Sequence, residues 1–142
     1  MLENLEEYTE KVRQEFEAFS KDAERIQRET LKRILEDNAS TEYLLSLGLN
    51  GRTDPESFKA CVPLVTHDDL EPYIQRILDG DNSPILTEKP ITCMVLSSGT
   101  SKGKSKYIPL TDWYMESIAK IFHTSFSFRN RYSTSFLLFQ SH

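Results

Sequence analysis

The feature that most constrains this chain is a run of apolar residues at Leu5, Tyr8, Val12, Phe16, Phe19, Ala23, Ile26, Leu31 and Ile34. Their spacing follows the 3.6-residue helical period and predicts one long amphipathic helix ending near Asp37. The opposite side carries Glu10, Arg13, Glu17, Lys21, Glu24 and Arg28. The stripe drifts from a strict heptad and contains Phe and Tyr, which favours packing on a globular body over a coiled coil. With 142 residues, 38% of them hydrophobic, the chain supplies one modest core and no second domain of ordinary size.

Charge is distributed unevenly along the sequence. The net charge is −5 overall: −4 in residues 1–37, −5 in residues 38–96 and +4 in residues 97–142. The acidic two-thirds lacks the basic face of a nucleic-acid binder. The basic last third is suited to attract a small anion such as a nucleotide phosphate. No run of about 18 apolar residues exists, so no membrane span is expected. The acidic start, with no apolar core segment, resembles neither a secretory signal nor a transit peptide. Cys61 and Cys93 fit no metal or disulfide spacing, which suggests a reduced, cytoplasmic chain.

Beyond the first helix, Asn38-Ala39-Ser40 breaks the pattern. Thr41 is placed to cap a short helix through Leu47, with Gly48 as the left-handed residue after it. Thr53-Asp54-Pro55-Glu56 reads as a second helix start. Asp69 is expected to cap a third, which places Pro72 in the first turn. Ile91 to Leu96 is a short apolar run between Pro90 and Ser97-Ser98-Gly99, and predicts a buried strand. Tyr107-Ile108-Pro109-Leu110 is a second extended piece. Thr111 then caps a helix with an apolar face at Met115, Ile118, Ala119, Phe122 and Phe126, ending near Arg131.

The segment with clear chemical content is Ser97-Ser98-Gly99-Thr100-Ser101-Lys102-Gly103-Lys104-Ser105-Lys106. Glycines let the backbone approach a ligand and adopt positive φ. Successive N–H groups in such a loop form an anion-binding nest. Hydroxyls donate to phosphate oxygens and lysines neutralise them. The rival is a solvated turn with a chance lysine cluster. A Walker A loop is excluded: Gly99 to Gly103 leaves three intervening residues rather than four, and Pro109 falls where the helix should run. His67, His123 and His142 are isolated in sequence and are not expected to be catalytic.

The loop resembles the first ATP-binding motif of the adenylate-forming superfamily, which includes firefly luciferase and acyl-coenzyme A synthetases. Ser97-Ser98-Gly99-Thr100-Ser101, Gly103 and Lys106 match it. The continuation Lys106-Tyr107-Ile108-Pro109 is similar to the plant auxin-inducible acyl-acid–amido synthetases. Glu42-Tyr43-Leu44, Gly48-Leu49-Asn50-Gly51, Val62-Pro63-Leu64-Val65, Glu71-Pro72-Tyr73-Ile74 and Asp79 to Leu86 follow that family's N-terminal order. Phe128-Arg129-Asn130-Arg131 favours the jasmonate-conjugating branch. Ser105 stands where the family usually has Pro, and Lys102 where it has a small or uncharged residue.

The resemblance implies a fold and an activity. The expected fold class is α/β: a helix-rich N-terminal fragment of an adenylate-forming, luciferase-like large domain. Residues 1–131 would be a partial adenylating domain and residues 132–142 a divergent tail. The implied activity is a ligase that activates an acyl acid, jasmonate first, with ATP and magnesium, then passes it to an amino acid. ATP-binding positions carried over are Val95, Ser97, Ser98, Gly99, Thr100, Ser101, Gly103, Lys106, Met115 and Ile118, with Ser98 also near the amino acid. Met115 and Ile118 lie equally well on a packing stripe. No catalytic or metal-ligating residue is implied. The expected partners are small molecules, with no nucleic acid or membrane. The family's later ATP motifs, acyl pocket and C-terminal domain fall outside the matched stretch. The alternative is therefore a catalytically inactive, truncated fragment that is a non-enzymatic interaction or vestigial product.

Overall fold

The computed structural model describes residues 2–99, 103 and 105–139. The chain divides into two compact units: the described parts of Met1–Ile26 and Trp113–His142 form one, Gln27–Asp112 the other. Six helices and one antiparallel strand pair are found among the described residues, so the expected helix-rich α/β character holds.

The single helix expected over residues 5–37 is two: α1 spans Leu2–Lys21 and α2 spans Ala23–Asp37. At the break, the Asp22 N–H donates to the Phe19 carbonyl, three residues back, at 3.2 Å, a tighter turn than the α-helix makes. Ser20 Oγ donates to the Glu17 carbonyl at 2.9 Å, the local back-bonding that bends helices. The Asp22 carboxylate then pairs with Arg25 at 2.5 Å.

In the first unit α1 lies beside α6, which spans Asp112–Phe139. Arg13 Nη1 donates to the Ser127 carbonyl at 2.9 Å, and the Phe16 and Phe128 rings meet edge to face with centroids 5.4 Å apart. Tyr8 Oη lies 2.8 Å from His123 Nδ1. These contacts advance together along both sequences, so the helices run parallel. The buried side chains at this contact are small, Thr9 and Ser127. Each hydroxyl bonds a carbonyl of its own helix, Glu6 and His123 respectively, so burial leaves no polar group unpaired.

The apolar stripes are consequently not the core that periodicity suggested. Leu5, Tyr8, Phe16, Phe19 and Ile34 remain at least 40% exposed, and Met115, Phe122 and Phe126 are exposed on α6. The face of α6 that meets α1 carries His123, Ser127 and Phe128 instead. Helix α6 also continues to Phe139, past the expected end near Arg131. Residues 132–139 contain neither Gly nor Pro to stop it.

In the second unit the buried apolar residues are Leu35, Leu49, Ile74, Ile85 and Leu110. Helix α3 (Glu42–Ser46) begins at Thr41, whose Oγ1 accepts from the Leu44 N–H at 3.4 Å, and Gly48 follows it with φ +70°. Helix α4 (Pro55–Cys61) is capped by Asp54, which accepts from the Ser57 N–H at 2.7 Å. Those bonds from Ser57 hold the Asp54 carboxyl below its ordinary value. Thr41 and Gly48 take the roles expected of them, and the helix start expected at residues 53–56 is found there.

Helix α5 (His67–Leu78) corrects the next one. Its cap is Thr66, and Asp69 sits inside the first turn. The Asp69 carboxylate accepts from both the Thr66 hydroxyl and its N–H at 2.7 Å, closing a capping box and lowering the Asp69 pKa. Pro72 therefore lies in the second turn, where it has no N–H to return to the Asp68 carbonyl.

Segment 81–90 crosses the N-terminus of α3. The N–H groups of Glu42 and Tyr43 donate to the carbonyls of Pro84 and Ile85 at 2.9 and 3.0 Å. This satisfies helix donors that have no partner within the helix. Arg76 of α5 bridges the same elements, reaching both Glu42 oxygens at 2.7 and 2.8 Å and Asp81 at 2.8 Å. Asp81 also accepts from the Ser83 hydroxyl at 2.6 Å and N–H at 3.0 Å.

The chain then enters β1 (Ile91–Leu96), which pairs antiparallel with β2 (Tyr107–Thr111), with an irregularity between Ile91 and Cys93. Strand β1 is not the buried strand expected. Leu96 is 60% exposed and Val95 37%, because β2 is its only strand partner among the described residues.

Two outcomes follow from this packing. Ile85 is 1% exposed, so Ile85→Ala should cost about 2–5 kcal/mol in urea denaturation. Leu64→Ala, at a fully exposed position, should change stability by less than about 0.5 kcal/mol. Bonds from the Ser83 hydroxyl and N–H, and then Arg76, hold the Asp81 carboxyl at about 2. A depressed carboxyl stabilises the fold fully above its unfolded value near 3.8 and loses that effect as pH falls through its folded value. Proton titration followed by carboxyl-carbon NMR should place the Asp81 midpoint near 2; a midpoint close to the unfolded value would mean that the bonds from Ser83 and Arg76 are not formed.

Candidate functional site

The Ser97–Lys106 loop joins the two strands of the β1–β2 hairpin. Its neck is closed by two bonds between its end residues. The Ser97 N–H donates to the Lys106 carbonyl at 2.9 Å, and the Lys106 N–H donates to Ser97 Oγ at 2.9 Å. Serine at 97 therefore replaces a main-chain acceptor with a side-chain one, which continues the ladder one step beyond the last strand pair, Leu96 with Tyr107.

This neck sets the bonding parity of the hairpin. Residues 97 and 106 form a hydrogen-bonded pair, so 96 with 107 is a non-bonded pair and 95 with 108 a bonded one. Pro109 faces Met94, again a non-bonded pair, where a missing N–H costs the ladder nothing. Val95 directs its own N–H and carbonyl at Ile108. Its side chain and the second lone pair of its carbonyl are what it can offer a ligand.

Gly99 and Gly103 have φ of +68° and +69°, the left-handed region that side chains disfavour. A Cβ on Gly103 would meet nothing within 4 Å, so backbone conformation alone calls for glycine there. Ser98 is exposed, while Ser97 and Lys106 are half-buried. No acidic residue occurs between Glu88 and Asp112. The loop is thus positive, and the Lys106 ammonium makes no ion pair among the described residues. Thr100 and Ser101, with Lys102 and Lys104, lie outside the described residues.

The structure brings Ser97, Ser98, Gly99, Gly103 and Lys106 together on one hairpin end, directly beyond Val95. Met115 and Ile118 lie on α6 in the other unit, Met115 at 53% exposure and Ile118 half-buried. A cleft of about 570 Å³ beside β1, lined by Asp81, Pro84, Lys89, Pro90, Thr92 and Met94 among others, includes no sequence-predicted site residue. Among the described residues, no group of three or more His, Cys, Asp and Glu side chains is gathered to hold a metal. No helix among them is long and apolar enough to cross a membrane.

Sequence reasoning missed one contact at the site. His67, the first residue of α5, places Nε2 2.9 Å from the Tyr107 carbonyl. A carbonyl only accepts, so Nε2 carries the proton. The contact joins residues 40 positions apart, and no local pattern announces it.

Ser97→Ala removes the acceptor for the Lys106 N–H. The expected result is a loss of about 1 kcal/mol in local stability. Hydrogen exchange at the Lys106 amide should show this as a roughly fivefold acceleration, while Ser98→Ala leaves that amide unchanged.

The family model described as the GH3 family N-terminal domain matches residues 12–139. Jasmonoyl–L-amino acid synthetase JAR6 of Nicotiana attenuata is 66% identical over 86% of this chain and 21% of its own length. Jasmonoyl–L-amino acid synthetase GH3.5 of Oryza sativa subsp. japonica is 58% identical over 82% of this chain and 20% of its own. The solved structure of GH3.15 acyl acid amido synthetase superposes with a TM-score of 0.71 at 39% identity, covering 77% of this chain and 20% of that one. The chain spans about a fifth of the length of the curated relatives it matches.

Proposed function

Because the chain belongs to the GH3 family, we propose that it supplies the phosphate-binding part of a ligase that joins an acyl acid to an amino acid. Jasmonate is the first candidate for the acyl acid, since that is the substrate named for the relatives JAR6 and GH3.5. The observation that carries the reading is the hairpin end itself: a positive loop, clasped at Ser97 and Lys106, with glycines at positive φ.

In this reading the reaction has two balanced steps. A carboxylate oxygen of the acyl acid attacks the α-phosphorus of ATP, and pyrophosphate leaves with the bonding electrons. The amine of the amino acid then attacks the acyl carbon, AMP leaves, and the amine gives up a proton. The loop's work is electrostatic: it holds charge on the phosphoryl oxygens with prearranged donors. Lys106 supplies the positive charge, held in place because its main chain is bonded at both N–H and carbonyl. Ser97 Oγ accepts from Lys106 and keeps its own proton to donate. Ser98, exposed at the tip side, donates where the amino acid enters. Thr100 and Ser101 extend the donor set, and Met115 and Ile118 are nucleotide-contacting candidates on the family resemblance alone. Magnesium would accompany ATP, with phosphate oxygens as its ligands. The described residues offer it no carboxylate set, and no step is derived through it. The setting proposed is cytoplasmic.

A second reading, a non-enzymatic interaction role, is favoured by the exposed apolar residues of α1 and α6, Phe16, Phe19 and Phe122 among them. Acyl-acid-dependent ATP consumption separates the two readings.

The ordering of two lysines tests the first. In a chain of full family length carrying this N-terminal part, Lys106→Ala should weaken ATP binding by about 1.5–3 kcal/mol, roughly ten- to hundredfold. Lys104→Ala should cost less. Affinities are compared at fixed ionic strength, because salt screens exposed charge. Equal losses at both positions, or none, would remove Lys106 as the phosphate ligand.

A further inference from the structure

The outer edge of β2 raises a question that the hairpin does not answer by itself. Leu96 and Tyr107 form a non-bonded pair, so the Tyr107 carbonyl points away from β1. Within a two-stranded sheet that carbonyl has no strand to accept from. Its donor is His67 Nε2 at 2.9 Å. His67 is itself held: it follows Thr66, whose hydroxyl and N–H are fixed on Asp69 at 2.7 Å. Lys106, next to Tyr107, is clasped to Ser97 from the other side. The lysine thus sits between two anchors, one inside the hairpin and one on helix α5.

We propose that His67 is a positioning residue that fixes the Lys106 end of the loop and thereby the placement of its ammonium toward a bound nucleotide's phosphates. The proposal deepens the phosphate-loop reading and rests on it. His67 touches no substrate; it acts through the Tyr107 carbonyl. A glutamine amide can also donate to the carbonyl, so it should substitute where alanine cannot.

The test uses the 142-residue chain in two measurements. Hydrogen exchange at the Lys106 amide reads the tether. ATP affinity, with adenosine as the phosphate-free control, reads its consequence. His67→Ala should accelerate Lys106 exchange and weaken ATP binding, each by roughly three- to tenfold, the worth of one hydrogen bond. Adenosine binding should not change. His67→Gln should restore both values, a rescue that general damage to α5 would not permit. Unchanged Lys106 exchange in His67→Ala overturns the tether. Faster exchange with unchanged ATP affinity overturns the positioning role, while loss of ATP binding in Lys106→Ala leaves the loop reading standing. A wild-type chain that distinguishes ATP from adenosine in no way overturns the loop reading and the positioning role together.

Discussion

The arrangement of the second unit depends on one crossing. The carbonyls of Pro84 and Ile85 accept from the first N–H groups of α3, and Arg76 holds the two sides of that crossing through Glu42 and Asp81. A helix as short as α3 is weak alone, because its end groups make up most of its backbone. Here a passing segment supplies the missing acceptors, and Ile85 fills the space beneath. The same segment runs on into β1. Where the chain crosses α3 therefore determines where the strand begins, and so where the loop is presented.

The ends of the loop are held by short-range and long-range contacts of different kinds. Ser97 and Lys106 close it locally, nine residues apart, at small entropic cost because the hairpin has already brought them together. His67 connects it to α5 across 40 residues. Between these anchors Gly99 and Gly103 take positive φ, and the sequence from 89 to 111 contains no acidic residue. In the role proposed for it, such a site would bind by preorganised charge, with no group that must break or make a covalent bond.

Local chemistry was legible in the sequence, and long-range chemistry was not. Thr41 and Gly48 mark helix ends by local chemistry that residue type and spacing reveal, and the helix start at residues 53–56 is equally legible. The strand at 91–96 and the loop after it followed from composition. The break at Asp22 lay hidden, since Ser20 and Asp22 interrupt a stripe whose apolar period continues through them. Asp69 has the residue type of a cap, but Thr66, three residues earlier, occupies the capping position and Asp69 bonds back to it. Burial was the least legible property. Periodicity identified apolar faces on α1 and α6, but the α1–α6 contact buries Thr9 and Ser127, and the large residues stay exposed. In the candidate site, residue types suggested phosphate chemistry, whereas the Ser97 clasp and the His67 tether required knowing which strands pair and in what register.

The central claim is that the Ser97–Lys106 loop binds phosphates. Its most direct test is a titration of the isotope-labelled 142-residue chain with pyrophosphate at constant ionic strength, followed by amide NMR. The account predicts saturable shifts at Ser98, Gly99, Gly103 and Lys106, with little change along α1 and α6. Shifts absent from these four amides, or no larger there than along the helices, would contradict it.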